Sequence, residues 1–463
     1  MGTLSISKIK KIISNDSKRR ELILQEKQYY ENDNDIRKKG VVAESTDPLR
    51  NADNRISHNF HQLITDEKDA YMFTNEVLFD VADENDNKTI KEVLGDDFKS
   101  ESVYLAENAT NNRVAWLHYW IDDDTNKFLF ATVETEQCIP IFDGGLKKKL
   151  KGMYRYYPII EEDDNGKEKY FVIFEYWTDL GYEKYKFRGK LDGTSLTFVE
   201  SEEFDHDLEA VPFIEFKNNR HMTSDLHKYK DQIDLYDRVI SGYANDLDDI
   251  QQLIYILENY GGTDLQSFLK DLKRYKAIKT QSTATGTKGG VSTLSIDIPV
   301  EARNSILEIL KKQIYESGQA LQQDNEDFGN ASGVALKFFY RKLELKAGLT
   351  QTEFEKGFAK LVRAIMRFKG IKDWDTRAII QTWTRNMISN DYEDAQIAQM
   401  SENVISEETI VKNHPWVENP QDELDNLKEQ REENIKRQQE LFKSQGDFND
   451  DDDDDNNDDG NKE

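Results

Sequence analysis

Two histidines, His58 and His61, stand three residues apart in a stretch with helical apolar spacing. On one helix face such a pair can ligate a metal ion. Ligation needs a third donor, and none stands out, so the pair reads as surface or packing histidines. No metal and no other cofactor is expected. Thr285-Gly286-Thr287-Lys288-Gly289-Gly290 has the composition of a phosphate cradle but not its order. GxxxxGK[ST] is missing, and so is the strand-to-helix setting that aims backbone N–H groups at a phosphate. The segment reads as a flexible turn. GxSxG and HExxH are absent as well. With 90 Asp and Glu, no carboxylate pair stands out as acid and base. The run Asp450 to Asp455 could loosely attract divalent cations but reads as a solvated tail. Nothing in the side chains supports an enzyme.

Composition bounds the rest. The 463 residues carry 62 Lys and Arg against those 90 acids, a net charge of −28. Aromatic residues make up 11%, enough to build a core, and the length suggests two to four domains. No apolar run approaches the ~18–20 residues that span a bilayer, so no membrane is expected. Met1 to Glu21 lacks the apolar core of a secretory signal. Ile6 stands where myristoylation needs Ser or Thr. Cys138 is the single cysteine, which excludes an intrachain disulfide and a cysteine zinc site and fits a cytoplasm-like redox setting. The acidic balance argues against a sequence-specific DNA binder with a basic face, though not against DNA passing by without being gripped. Part of the charge is local: residues 447–463 hold ten acids against Lys462.

The elements follow from periodicity. The first ~45 residues read as one or two charged helices, and 55–79 as a helix with Ile56, Phe60, Leu63 and Ile64 on one face. From about 100 to 215, β-branched and aromatic runs alternate with turn residues: Val114–Ile121, Phe128–Glu134, Cys138–Phe142, Met153–Ile160, Tyr170–Trp177, Lys184–Arg188 and Ser195–Val199. Hairpin signals stand at 163–166 and at Asp192-Gly193. Trp116, Trp120 and Trp177 read as core or sheet-face residues. Then Leu226, Tyr229, Ile233, Tyr236, Ile240, Tyr243, Leu247, Ile250, Ile254 and Leu257 repeat at alternating spacings of three and four, a heptad seam. It predicts one long helix, capped by Thr223 or Ser224 and stopped by Gly261-Gly262. The helix either sits in a bundle core or packs against copies of itself or a partner helix.

A small basic island follows, with a short helix (264–275) and strands at 277–281 and 291–298. Its cations are Lys270, Lys273, Arg274, Lys276, Lys279 and Lys288. A second helix starts after Pro299 with Ile306, Leu310 and Ile314 on one face. A polar loop from Leu321 to Ser332 leads into a long helix from about Gly333 to Phe368, which Gly348 could kink. A strand and turn at 375–390, short helices at about 391–403 and 406–413, and a charged helix at 421–442 complete the chain. The tail from Gly446 is low-complexity and expected to be disordered.

Four stretches in order carry a resemblance. They are Val211-Pro212-Phe213-Ile214-Glu215-Phe216-Lys217-Asn218-Asn219 with Ser224-Asp225-Leu226; Gln232-Ile233-Asp234-Leu235-Tyr236 with Ser241 and Ala244-Asn245-Asp246; Asp297-Ile298-Pro299-Val300; and Ser332-Gly333-Val334-Ala335-Leu336-Lys337 with Leu343-Glu344. Together they resemble the SPP1-like portal proteins of tailed bacteriophages. Weaker echoes are Asn54-Arg55-Ile56 with Asn59-Phe60, and Trp383-Thr384-Arg385-Asn386 with Ile405 to Thr409. Thr74-Asn75-Glu76-Val77 departs from the Gly-x-Pro turn that relatives often have.

The resemblance implies a mainly helical α+β portal fold. Its parts would be a wing (1–223), a stem helix (224–259), a clip (260–299), a second stem helix (300–319), a tunnel loop (320–333), a long wing helix (334–374), a crown (375–445) and the acidic tail (446–463). It implies a ring of about twelve copies at one capsid vertex, through which double-stranded DNA is packaged and ejected. A terminase and then a head-completion adaptor would dock at the clip, and capsid and scaffold proteins would surround the ring. Assembly would take place in the host cytoplasm. Asp324, Asn325, Glu326 and Asp327 would face the channel, with Lys337 and Arg341 giving weak phosphate contacts. The six island cations would meet the clip partners. Ile233, Tyr236, Ile240, Tyr243, Leu247, Ile250 and Ile254 would pack the stem. The competing reading from the seam alone is a coiled-coil scaffold or adaptor without a DNA channel; a nucleic-acid enzyme would need a nucleotide or metal site.

Overall fold

The computed structural model describes residues 4–38, 52–163, 165–191, 196–250, 254–258, 290–294, 299–321, 333–387, 391–402, 404–412, 414, 416–417 and 419–446. The chain divides into two compact units. One is Met1–Asp324 with Arg341–Asn386, the other Asn325–Tyr340 with Met387–Glu463.

The first unit opens with α1 (Ile6–Tyr30), whose N-terminus is capped by the Ser5 hydroxyl accepting from the Lys8 N–H. After α2 (Phe60–Phe73) and β1 (Leu78–Asp80) come α3 (Glu84–Leu94) and α4 (Asp97–Asn112). Asp83 caps α3 by accepting from the Asp86 N–H. Two antiparallel sheets follow. β2 (Val114–Ile121) lies between β3 (Phe128–Val133) and β9 (Phe213–Lys217). β4 (Cys138–Phe142), β5 (Leu150–Glu162), β6 (Glu168–Trp177), β7 (Gly181–Arg188) and β8 (Thr197–Asp205) run in sequence order as a five-stranded meander. At the β5–β6 turn, Asp163 accepts from the Asn165 and Lys167 N–H groups, and Gly166 takes φ +73°, a region open to glycine. β8 is the outer strand, and every residue along it is exposed.

α1 lies on the meander, where Leu4 and Ile9 bury against Tyr156, Val172, Phe174 and Phe187. Trp116, Met153, Trp177 and Phe213 form a second core around Cys138. Trp120 is half-buried at the sheet face. α5 (Lys230–Ile250), β10 (Ile254–Glu258), β11 (Gly290–Leu294) and α6 (Val300–Gly318) come next. α7 (Gly333–Phe368) runs without interruption through Gly348, and β12 (Ile380–Thr382) pairs with β1. Phe354 and Phe358 of α7 join Phe73, Phe98, Phe216 and Trp383 in an aromatic cluster. The second unit contains α8 (Asp391–Met400), α9 (Glu407–Lys412) and α10 (Pro420–Gly446). An ion pair between Arg431 and Glu407 ties α10 to α9.

The strand pattern between 114 and 205 matches the sequence reading closely. Three readings are corrected. The long heptad helix stops at Ile250, and Ile254 lies in β10, paired with Leu294. The Ile-Tyr-Ile run at 254–256 is β-branched and aromatic, and an antiparallel partner lets it form a strand where a helix would continue the seam. That partner is 290–294; the expected strand at 277–281 lies outside the described residues. Ser224 does not cap α5, because a 3-10 turn at Leu226–Lys228 comes first and the Ser224 hydroxyl donates to Glu26 instead. In α2, Phe60 and Ile64 are buried, but Leu63 faces outward and Ile56 precedes the helix.

Candidate functional site

The two helices that the sequence marks as legs pair antiparallel. Ile233, near the start of α5, buries against Ile314, near the end of α6, while Arg303 at the start of α6 pairs with Asp246 near the end of α5. The Arg303 guanidinium also lies 5.2 Å from the Tyr243 ring centroid.

A third strip of chain runs along α5. The Asn54 N–H donates to Asn245 at 2.6 Å, the Ile56 N–H to Ser241 at 3.0 Å, and the His58 N–H to Asp237 at 3.1 Å. Every second residue of an extended segment thus meets every fourth residue of a helix. The two rises agree: two extended residues advance about 6.6 Å and four helical residues about 6 Å. Asp237 is fully buried and also accepts from Asn34 Nδ2 at 2.6 Å. Tyr29, at the end of α1, donates to Asp234, and Lys230 bridges Asp234 and Asp35. The foot of α5 is therefore held by polar contacts on the side away from its apolar seam.

Below it lies a buried charge cluster. Asp225 Oδ2 stands 2.8 Å from Lys346 Nζ and 3.4 Å from Lys68 Nζ. Lys68 also donates to Asn218 Oδ1 at 2.8 Å, and Asn218 Nδ2 donates to Asp225 Oδ1 at 3.1 Å. Lys346 donates to the Gly318 carbonyl at 2.8 Å, so a cation on α7 caps the C-terminus of α6. Thr350 donates to the Asn218 carbonyl. Gly318 packs so closely on Ile64 that a Cβ would lie 2.9 Å from its Cδ1. Just past it, Gln319 adopts a left-handed conformation, and the Leu321 N–H donates to Glu67 at 2.9 Å. The cluster joins α2, the end of β9, the turn before α5, the end of α6 and α7, and it fixes where the chain leaves α6 for the polar loop.

Burial would raise the Asp225 carboxyl, but Lys346 and Lys68 outweigh it and hold the group well below the ordinary range. Burial brings Lys346 down to about 8 against the pull of Asp225. Burial pushes Asp69 up to about 7. His61 is fully buried and falls to about 3 for the same reason; its Nδ1 shares a hydrogen bond with the Tyr229 hydroxyl at 2.8 Å. His58 turns instead to Asp237. The two histidines do not converge, and no three His, Cys, Asp or Glu side chains gather as a metal site among the described residues.

Of the expected site residues, Asp324, Asn325, Glu326 and Asp327 lie outside the described residues, as do Lys270, Lys273, Arg274, Lys276, Lys279 and Lys288. Lys337 falls in the first turns of α7, and Arg341 is exposed on that helix. Along the seam, Ile233 is buried, while Tyr236, Ile240 and Tyr243 are half-buried. Leu247 is 47% exposed, so the seam opens toward the helix end, where Ile250 is the last helical residue. Sequence reasoning did not find Lys68, Asp225 and Lys346 as a cluster. The signal was present: Lys68 stands four residues from both Ile64 and Met72 on the buried face of α2, and Lys346 between Leu343 and Ala347 on that of α7.

The first unit is thus a mixed helix-and-sheet body in which two paired legs flank an antiparallel pair of strands, β10 and β11. Residues 9–437 match the family described as Phage portal protein, SPP1 Gp6-like, and the chain belongs to that family. The portal protein of Clostridium phage phiCD119 is 53% identical over 427 residues, covering 90% of this chain and 94% of that protein. The portal protein of Bacillus phage SPP1 is 29% identical over 472 residues, covering 96% and 90%. Among solved structures, a neck of a native gene transfer agent particle computed with C12 symmetry has a TM-score of 0.42 at 10% identity, covering 76% of this chain and 87% of that one.

Proposed function

We propose that this chain forms the portal ring of a tailed phage: about twelve copies at one capsid vertex, enclosing the passage through which double-stranded DNA enters and leaves. It is a conduit in the virion and performs no catalysis; its subunits assemble in the host cytoplasm. The observation that carries the reading is the antiparallel pair α5 and α6 flanking the antiparallel strands β10 and β11, in a chain of the portal family. Two short strands bury too little to be stable alone, so neighbouring copies complete the clip. The terminase and then a head-completion adaptor dock there, on Lys270, Lys273, Arg274, Lys276, Lys279 and Lys288. Capsid and scaffold proteins contact the wing.

The loop that leaves α6 at Leu321 lines the narrow part of the passage. DNA carries one charge per ~1.7 Å of duplex. Asp324, Glu326 and Asp327 keep it from sticking, Asn325 adds no charge, and Lys337 and Arg341 give weak phosphate contacts.

The test is the native mass and projection symmetry of the purified chain, by light scattering and negative-stain class averages. Twelve copies of a 54.0 kDa chain give roughly 650 kDa and a ring with a central hole. A stable dimer or filament that never closes would overturn the reading in favour of a coiled-coil adaptor.

A further inference from the structure

The first unit contains an open cleft of about 970 Å³ between the β4–β5 loop, the end of β9, α7 and β12. In a chain of net charge −28 its walls are basic. Two of its cations are already neutralised: Lys217 pairs with Glu215 at 3.1 Å and Lys356 with Glu353 at 2.7 Å. Five others, Lys147, Lys148, Arg220, Lys360 and Arg363, make no side-chain ion pair or hydrogen bond among the described residues. Lys147, Lys148, Arg220 and Lys360 are exposed, and Arg363 is half-buried with its Nε donating to nothing. Desolvation against the cleft wall lowers Lys360, and Lys217 and Lys356 add to that, while Glu215 opposes it. Cations held together in this way concentrate a positive field that an anion relieves.

Carboxylates line the cleft as well: Glu215, Glu353 and Glu355. An ionised carboxylate accepts N–H donors as well as pairing with a cation. A ligand that fits must therefore bring anions and N–H donors together. A phosphodiester backbone brings charge without donors. A duplex makes its contacts over a much wider surface than a cleft of this volume presents. An extended acidic peptide supplies both: side-chain carboxylates for the five cations and backbone N–H groups for the lining carboxylates.

We propose that this cleft is a docking site for an extended, aspartate- or glutamate-rich polypeptide segment. None of its lining residues belongs to the segment 260–299, and the inference stands whether or not the ring reading holds.

The experiment uses the full chain and a fluorescein-labelled twelve-residue peptide of alternating Asp and Ala, followed by anisotropy. Binding is expected, and K147E/K148E/R220E weakens it at least tenfold. K88E/K99E/K127E makes the same change in net charge at exposed positions outside the cleft and leaves affinity within twofold. Carbodiimide coupling of the bound peptide, read by mass spectrometry, places new amide bonds on Lys147, Lys148 or Lys360. Three results overturn the proposal: no binding, equal weakening by both triple variants, or tighter binding of a charge-matched single-stranded oligonucleotide, which would make nucleic acid the ligand.

Discussion

Replacing Asp225 by Asn leaves Lys68 and Lys346 facing each other in a buried site without their shared counter-ion. The substitution keeps the size and one acceptor oxygen, so the loss is one of charge. Breaking a buried pair by removing one partner costs about 3–5 kcal/mol. The pH dependence separates this charge effect from general damage. In the wild type, Lys346 sits at about 8, below its unfolded value, so it is charged at pH 7 and largely neutral at pH 9. Between about 8 and 10.5 the unfolded chain binds more protons, and wild-type stability rises with pH. In Asp225→Asn the folded Lys346 falls further, because the Asp225 charge that raised it is gone, and the same gain begins at lower pH. Each pH unit of that fall is worth up to about 1.4 kcal/mol, and the loss at pH 9 is smaller than at pH 7. Urea unfolding followed by tryptophan fluorescence at the two pH values reads both numbers. Asp225→Asn/Lys346→Met recovers much of the stability, because no unpaired cation remains on α7. A loss under 1 kcal/mol at pH 7, or the same loss at both pH values, would refute the charge-cluster argument.

The neighbouring acid behaves oppositely. Burial raises Asp69 to about 7, so its stabilising protonation is complete below its unfolded value near 4 and lost as pH rises through 7. Asp69→Asn should therefore gain on the wild type at pH 8 relative to pH 4.5. The gain is up to about 4 kcal/mol, the free energy that separates a carboxyl titrating near 7 from one titrating near 4. His61, held at about 3, imposes a loss below its unfolded value near 6.5 that Asp69 partly masks, so the variant should lose stability more steeply on acidification. Both effects are read from urea titrations across that range. At the α7–β9 contact, a Cβ on Gly357 would stand 2.4 Å from the Phe216 ring. Gly357→Ala should cost about 1–3 kcal/mol through overpacking, seen as a lower Tm by calorimetry.

The β-rich region was legible because its strands are rich in β-branched and aromatic residues and bounded by turn residues; strict alternation of burial is seen in β7 but not in β2 or β8. α3 and α4 leave a weaker trace in the sequence. α4 buries Asn108, Asn111 and Asn112 along with Leu105 and Ala109, so its inner face lacks an apolar stripe. The heptad seam was legible up to the point where its residues stopped being helical. Spacings of three and four place Ile254 on the seam, but a β-branched run follows a strand pattern equally well, and only the partner at 290–294 decides between them. The charge cluster was hidden for a different reason. Lys68 and Lys346 fall on apolar faces at regular spacing, yet their shared anion lies more than a hundred residues from either, and pairing across that distance leaves no periodic trace. The segment at 54–58 shows the opposite case: its residues stood out by resemblance, and their role became clear only from the matched steps along α5.

The outer strand of the meander has a consequence for subunits that have not yet met a partner. Among the described residues β8 has no strand paired to its outer edge, and Phe198, Val199 and Phe204 are exposed along it. Such an edge invites strand-to-strand aggregation in a concentrated pool of newly made chains. Glu200, Glu202, Glu203 and Asp205 occupy the same strand. Two copies that tried to pair through it would bring these carboxylates face to face, so the strand rejects its own kind while it stays open to a surface of opposite charge. The acid-rich edge thus acts as a gatekeeper over the lifetime of the unassembled chain.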